Sequence, residues 1–377
     1  MSSPAVVYMD HAASTPVRPE AVEAMLPYLT ESYGNPSGAH AMARAARDAI
    51  DDARAILADA LGCFPGEVVF TSGGTESDNA AVFGLATRGA VVCSAVEHHA
   101  VLDPAHLHDG RVVPVDHDGV VDLDALTAAL DESVALVSVM LANNEIGTIQ
   151  PLADVAEIVR AHAPRAVLHT DAVQAFPWID VVTLAAPADL ISVSAHKFGG
   201  PKGVGALVVR DGVDLPARQV GGGQERERRS GTQNVAGIVA MGVAAQLTVD
   251  ERKLTVDRVA PRRDRLADGL ISSIDGTYES GDRARKIAGN CHVCFDGIES
   301  EALLYLLEKE GIMASAASSC ASGAQDPSHV LAAIGVPRSL AGGSLRLSLG
   351  VTTTDDDVDR VLDVLPAAVD RLRLLGS

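Results

Sequence analysis

Lysine is scarce in this chain. Only Lys197, Lys202, Lys253, Lys286 and Lys309 occur in 377 residues, and none precedes position 197. Aromatic residues are also few, at 3%, so Ala, Val, Leu and Ile must fill the core. No run approaches the roughly 20 apolar residues that span a bilayer, which excludes an ordinary membrane-spanning helix. Met1-Ser2-Ser3-Pro4 is not a basic region followed by an apolar stretch, so no secretory signal is expected and the cytoplasm is the expected compartment. The five cysteines (Cys63, Cys93, Cys291, Cys294 and Cys320) are odd in number and scattered. That excludes a secreted disulfide framework and leaves at least one free thiol to explain. Basic side chains are outnumbered 30 to 50, giving a formal net charge of −20. Such a balance disfavours direct contact with nucleic acid or an anionic membrane.

What is present is globular: 47% hydrophobic and 21% charged residues rule against disorder. The length suggests two domains. Short apolar runs at 68–70, 90–93, 135–140, 167–170, 190–193 and 205–209 alternate with Ala-rich helical patterns at 41–61, 76–88, 122–131 and 152–162. Continuous apolar strands alternating with helices predict an α/β fold around a largely parallel sheet. Near residue 250 a charged helical stretch begins, running to about Leu270. A strand at 291–295, a helix at 300–310, a strand at 344–349 and a final helix at 355–373 follow. The expected division is a large domain over 15–250 and a smaller α+β domain made of 1–14 and 251–377.

Three motifs carry chemistry. Thr71-Ser72-Gly73-Gly74-Thr75-Glu76-Ser77 lies between a strand and a helix, where free N–H groups and the helix dipole cradle phosphate. The same residues also read as an ordinary helix cap. In His169-Thr170-Asp171-Ala172-Val173-Gln174, Asp171 ends an apolar strand, where ligands of open α/β sheets sit. It is placed either to hold a cationic ring nitrogen or to cap a helix. In Ser194-Ala195-His196-Lys197, the lysine follows a strand and precedes a glycine-rich turn. A lysine held in a cavity loses its proton readily and forms a Schiff base. An anion cradle, an acid and a lysine are the three needs of a cofactor with a phosphate, a pyridinium and an aldehyde.

With these motifs in place, the chain resembles the cysteine desulfurases of the NifS/IscS-like group, within the fold-type-I pyridoxal-phosphate enzymes. The resemblance runs from Tyr8-Met9-Asp10-His11-Ala12-Ala13 to Ser344-Leu345-Arg346-Leu347-Ser348-Leu349-Gly350. It includes Glu97-His98-His99-Ala100-Val101-Leu102, Asn143-Asn144-Glu145-Ile146-Gly147, Gly221-Gly222-Gly223-Gln224-Glu225-Arg226 and Arg229-Ser230-Gly231-Thr232. It implies a mostly parallel seven-stranded sheet, pyridoxal 5'-phosphate as cofactor and L-cysteine as substrate. Lys197 would join the cofactor and Asp171 would pair with its ring nitrogen. Gln174 and Asn144 would lie near the ring oxygen, and His98 would stack on the ring and move protons. Gly74, Thr75, Ser194 and His196 would bind the phosphate. Thr232 would reach the phosphate of a neighbouring subunit, so a homodimer is implied. Arg346 would clamp the substrate carboxylate, with Asn35 as helper. Arg226, Arg228 and Arg229 lie among Glu225 and Glu227 and read equally as a self-neutralising loop.

The resemblance selects Cys320 as the thiol that receives sulfur. Its surroundings, Ala316-Ala317-Ser318-Ser319-Cys320-Ala321-Ser322-Gly323-Ala324, show no strand or helix period and read as a loop. The family usually has Ser-Gly-Ser-Ala-Cys here, so a glycine is lost and the loop is expected to hinge differently. Cys291-His292-Val293-Cys294 lacks a second pair for zinc and reads as a strand. Cys63 and Cys93 read as core thiols. The expected reaction converts L-cysteine to L-alanine with a persulfide on Cys320. A selenocysteine lyase or another fold-type-I enzyme is the neighbouring alternative, and a non-catalytic partner protein a more distant one. Relatives often carry a C-terminal extension that helps dock an iron–sulfur scaffold, and none is expected in the residues after the last helix, Leu374-Leu375-Gly376-Ser377. The acceptor is therefore open between iron–sulfur assembly, tRNA thiolation and a dedicated pathway.

Overall fold

The computed structural model describes residues 6–316 and 328–376. Cys320 lies outside the described residues. Twelve strands are formed among those described: β1 (Val7–Tyr8), β2 (Val68–Thr71), β3 (Ala90–Ser94), β4 (Arg111–Val113), β5 (Val134–Ser138), β6 (Val167–Asp171), β7 (Leu190–Ser194), β8 (Gly205–Val209), β9 (Thr277–Glu279), β10 (Asn290–Phe295), β11 (Ile312–Met313) and β12 (Ser344–Ser348).

Seven of them make one sheet in the order β2-β8-β7-β6-β5-β3-β4. Only β8 runs antiparallel to its neighbours; the remaining pairs are parallel. The apolar runs are continuous because both faces are covered. Val68 and Phe70 face one core with Leu57, Val137, Ile191 and Met241. Val69, Leu136, Leu190 and Leu207 face the other, against the helices Gly74–Leu85 and His99–His106. A strand period of two sends successive residues to opposite faces, and here neither face meets water.

A second core forms around the antiparallel sheet β12-β10-β9. It takes Val293, Phe295, Leu345 and Leu347 from the strands. The helices Ser300–Lys309 and Asp355–Gly376 add Leu303, Leu307, Val361 and Leu365. The pair Cys291 and Cys294 lies in β10 with both thiols buried. Among the described residues no cluster of three His, Cys, Asp or Glu is placed to hold a metal ion.

The charged stretch expected from about 250 is the second half of a 39-residue helix, Val235–Ser273. Its first half puts Ile238, Met241 and Ala244 into the large core, and its second half puts Val259, Leu266 and Leu270 into the small one. The sequence pattern missed the first half because residues 235–245 are small and apolar all round, without a polar face. The strand expected to reach Met140 stops at Ser138. Among the described residues no helix is long and apolar enough to cross a membrane.

Candidate active site

A cavity of about 380 Å³ opens at the carboxyl ends of the parallel strands, where open α/β sheets hold ligands. After β7 the chain makes one tight turn, Ala195–Lys197, and delivers the lysine. Asp171, the last residue of β6, is in register with Ser192 of β7, so one strand–helix–strand step brings acid and amine to the same edge. Lys197 Nζ donates to the carbonyls of Ala12 (2.6 Å) and Ala13 (3.0 Å). Gln174 Nε2 donates to the same Ala12 oxygen at 2.6 Å. Burial, then the Arg346 charge, lower the Lys197 pKa to about 8, with Asp171 and Asp10 opposing.

The anion cradle is built by backbone. Gly73 has φ 152, a region closed to other residues without strain. The next residue, Gly74, starts the helix Gly74–Leu85. A Cβ on Gly74 would stand 2.9 Å from Val173 Cγ2, so that approach needs glycine. Gly74, Thr75, Ser194 and His196 all line the cavity, with the helix N-terminus supplying free N–H groups.

His98 caps the helix His99–His106: its Nδ1 accepts from Ala100 N at 3.0 Å. The neutral ring therefore carries its proton on Nε2. The ring is open to the cavity yet walled by protein. Desolvation, then Lys197 and His99, lower its pKa to about 4. Asn144 is aimed by a turn in which Asn143 Oδ1 accepts from Glu145 N and Ile146 N. The same motif is thus both a turn and a cavity wall. Arg346 projects from β12. Its Nη1 donates to Asn144 O (3.0 Å) and Nη2 to Asp10 Oδ1 (2.9 Å), while Nε is buried without a partner. Those two bonds fix the fork and leave the Nε edge free for a carboxylate.

Beneath the cavity Asp171 is joined by two buried acids, Asp78 and Glu97, to which the sequence motifs assigned no role. Asp78, Glu97 and Asp171 are all almost fully enclosed. Burial and mutual repulsion push Glu97 up to about 8 and Asp78 well above its ordinary value. Asp171 is raised by burial but held back by Val173 N and Lys197. Asp78 and Glu97 are thus biased toward their protonated forms, and Asp171, held back by Lys197, is the acid that ionises more readily beside it. His169 bonds Ser138 at 2.8 Å and Ser192 at 3.0 Å, and burial keeps it neutral. Asp78 is four residues beyond Gly74 and so on one helix face with it, a signal present in the sequence. Glu145 also lines the cavity, takes a hydrogen bond from Ser328 Oγ, and is raised by burial to about 7.

The site thus gathers Lys197, Asp171, Gln174, Asn144, His98, Gly74, Thr75, Ser194, His196 and Arg346 around one cavity. Asn35 and Thr232 are exposed and do not line it.

Comparison with known proteins shows the family. Residues 7–361 match the family described as aminotransferase class-V. The chain belongs to the class-V aminotransferase family. Within it, the cysteine desulfurase IscS of Methanosarcina thermophila is 46% identical over 377 residues, 97% of this chain and 93% of that one. An IscS-like cysteine desulfurase of Mycobacterium tuberculosis is also 46% identical, over 98% of this chain and 97% of its own length. Among solved structures, a NifS-like protein superposes with a TM-score of 0.91 at 37% identity, covering 97% of this chain and all of that one. SspA in complex with cysteine superposes with a TM-score of 0.80 at 32% identity, covering 92% and 99%. Class-V enzymes of this group use pyridoxal 5'-phosphate, and the residues fit it. The glycine cradle suits a phosphate, the buried Asp171 a ring nitrogen and the Lys197 amine an aldehyde. Two buried atoms of cavity-lining residues, Asp78 Oδ1 and Arg346 Nε, have no hydrogen-bond partner among the described residues, His169 Nε2 standing 3.5 Å from the former.

Proposed function

We propose that this chain takes L-cysteine to L-alanine, passing the sulfur to Cys320 as a persulfide and then to a thiol on an acceptor protein. The observation that carries the reading is the convergence of Lys197, Asp171 and Arg346 on one cavity in a chain this similar to cysteine desulfurases. Bound pyridoxal phosphate supplies an electron sink for the pair left at the substrate Cα. Gly74, Thr75, Ser194 and His196 hold its phosphate; Asn144 and Gln174 stand at its ring oxygen. Asp171 holds a proton on the ring nitrogen. Arg346 takes the substrate carboxylate on its free Nε edge.

Lys197 Nζ takes the Cα proton. With a pKa near 8, a useful fraction of the amine is free at neutral pH. His98 lies against the ring and offers its Nε2 proton to the cavity. The substrate C–S bond breaks as the Cys320 thiolate binds that sulfur. The proton from Cys320 ends on the product, so cysteine plus thiol gives alanine plus persulfide. A thiolate of the acceptor then collects the outer sulfur by exchange. The acceptor is an iron–sulfur scaffold or a tRNA-thiolation enzyme. The working unit is a homodimer in which Thr232 reaches the partner's phosphate.

The test is product analysis. Cofactor-loaded protein given L-cysteine and a reducing thiol should release L-alanine and sulfide in equal amounts. Sulfide accompanied by pyruvate and ammonia would overturn the reading.

A further inference from the structure

Eight buried side-chain nitrogen and oxygen atoms among the described residues lack a hydrogen-bond partner. Two belong to Asp78 and Arg346 of the catalytic cavity. Five others belong to only three residues: His11 Nδ1 and Nε2, Arg252 Nε and Nη2, and Asn290 Oδ1. All three residues line a second cavity, of about 330 Å³. This one sits at the seam of the two cores, where Trp178 packs against both. It lies behind the catalytic cavity and shares Ala12, Gln174 and Lys197 with it as a common wall. Stranded polar groups are costly, and proteins seldom leave several together without something to meet them.

The three residues define what would meet them. Arg252 forms no ion pair among the described residues. Its guanidinium stands 5.5 Å over the Phe176 ring. Its neighbour Glu251 is already held by Arg18 at 2.7 Å, and Glu20 is exposed. Only the more distant Asp180 offsets its charge, so Arg252 presents a cation with two buried N–H groups that no ion pair among the described residues takes up. Asn290 is 1% exposed; its Nδ2 is spent on Glu145 O, and Oδ1 is left as an acceptor seeking a donor. His11 is 5% exposed, and burial lowers its pKa to about 4. It is neutral at pH 7 and offers one donor and one acceptor. Trp178, Phe198, Ile287 and Val351 give the rest of the wall an apolar character.

We propose that this seam cavity is a second binding site, for a small organic acid whose carboxylate pairs with Arg252, whose hydroxyl or amino group meets Asn290 and His11, and whose apolar body lies against Trp178 and Ile287. Its volume is at the lower end of the range of small-molecule sites. The proposal is independent of the desulfurase reading, since none of the three residues is assigned a role in that reaction.

The test uses cofactor-loaded protein, so that the catalytic cavity is filled. The probes are 3-phenyllactate and its neutral amide, followed by calorimetry. The acid should bind saturably and the amide at least tenfold more weakly. Arg252→Met should weaken the acid at least tenfold while the rate of alanine formation stays within twofold. Arg252→Lys, which keeps the charge, should lose less; it also serves if the Met variant fails to fold. Arg346→Ala should leave acid binding unchanged. Absence of saturable binding would mean that water alone fills the cavity and would overturn the proposal. So would equal binding of acid and amide, or an acid affinity that follows Arg346 rather than Arg252.

Discussion

The two cavities that share the Ala12, Gln174 and Lys197 wall are close in size but opposite in character. The catalytic one is rimmed by the ends of several strands and floored by ionisable groups that control one another: Asp78 and Glu97 pushed toward their neutral forms, Asp171 held back by Lys197, Lys197 lowered to about 8. The seam cavity has a larger apolar wall, the Arg18–Glu251 ion pair at its edge, and unpartnered polar atoms on Arg252, Asn290 and His11. The difference teaches where chemistry can occur. Proton transfer needs groups whose pKa values are driven apart around one atom, and in the first cavity Asp171 and Lys197 are set against each other in this way. The second borders Lys197 but places no carboxylate of this kind against it.

The sharpest way to break this contrast is Lys197→Ala. Alanine formation should fall by about three orders of magnitude or more, as befits loss of the group that moves the proton. The visible absorbance of bound cofactor should change with it. A variant that keeps its rate would remove the distinction between the cavities. Arg346→Lys comes next. Replacing a fixed fork by a point charge should cost about 1.5–3 kcal/mol. That should appear as roughly a ten- to hundredfold rise in KM for L-cysteine, with no effect on 3-phenyllactate binding.

The smallest expected effect is on stability. Glu97 is raised to about 8 in the folded chain against roughly 4.3 when unfolded. Between those values the folded form holds a proton that the unfolded form has lost, so stability falls as pH rises across that window. Glu97→Gln should reduce this slope by at most about 1.4 kcal/mol per pH unit. Denaturant titrations of cofactor-free protein at pH 5, 6, 7 and 8 measure it, and an unchanged slope would show that Glu97 is ionised.

Much of the fold was legible because its strands are buried on both faces and so read as unbroken apolar runs between amphipathic helices. The start of Val235–Ser273 was not, since a helix packed on all sides has no periodicity to read. In the site, the rarity of lysine and the ends of strands pointed to Lys197 and Asp171. Arg346 and Asn144 needed the family resemblance, because a strand arginine and a turn asparagine carry no local signal of a cavity far off in sequence. Asp78 and Glu97 lie within recognisable motifs that give them no role by themselves. Their meaning lies in burial beside Asp171, a tertiary fact. The seam cavity was invisible for the same reason: His11, Arg252 and Asn290 are brought together by the packing of two cores.

The most direct test of the central claim is to follow the sulfur atom. Cofactor-loaded protein mixed with L-cysteine and no reductant should carry one additional sulfur on the peptide that contains Cys320, found by mass spectrometry. Cys320→Ala should carry none and release no alanine, while keeping the visible absorbance of the cofactor. Sulfur on another cysteine, or full turnover by Cys320→Ala, would contradict the account.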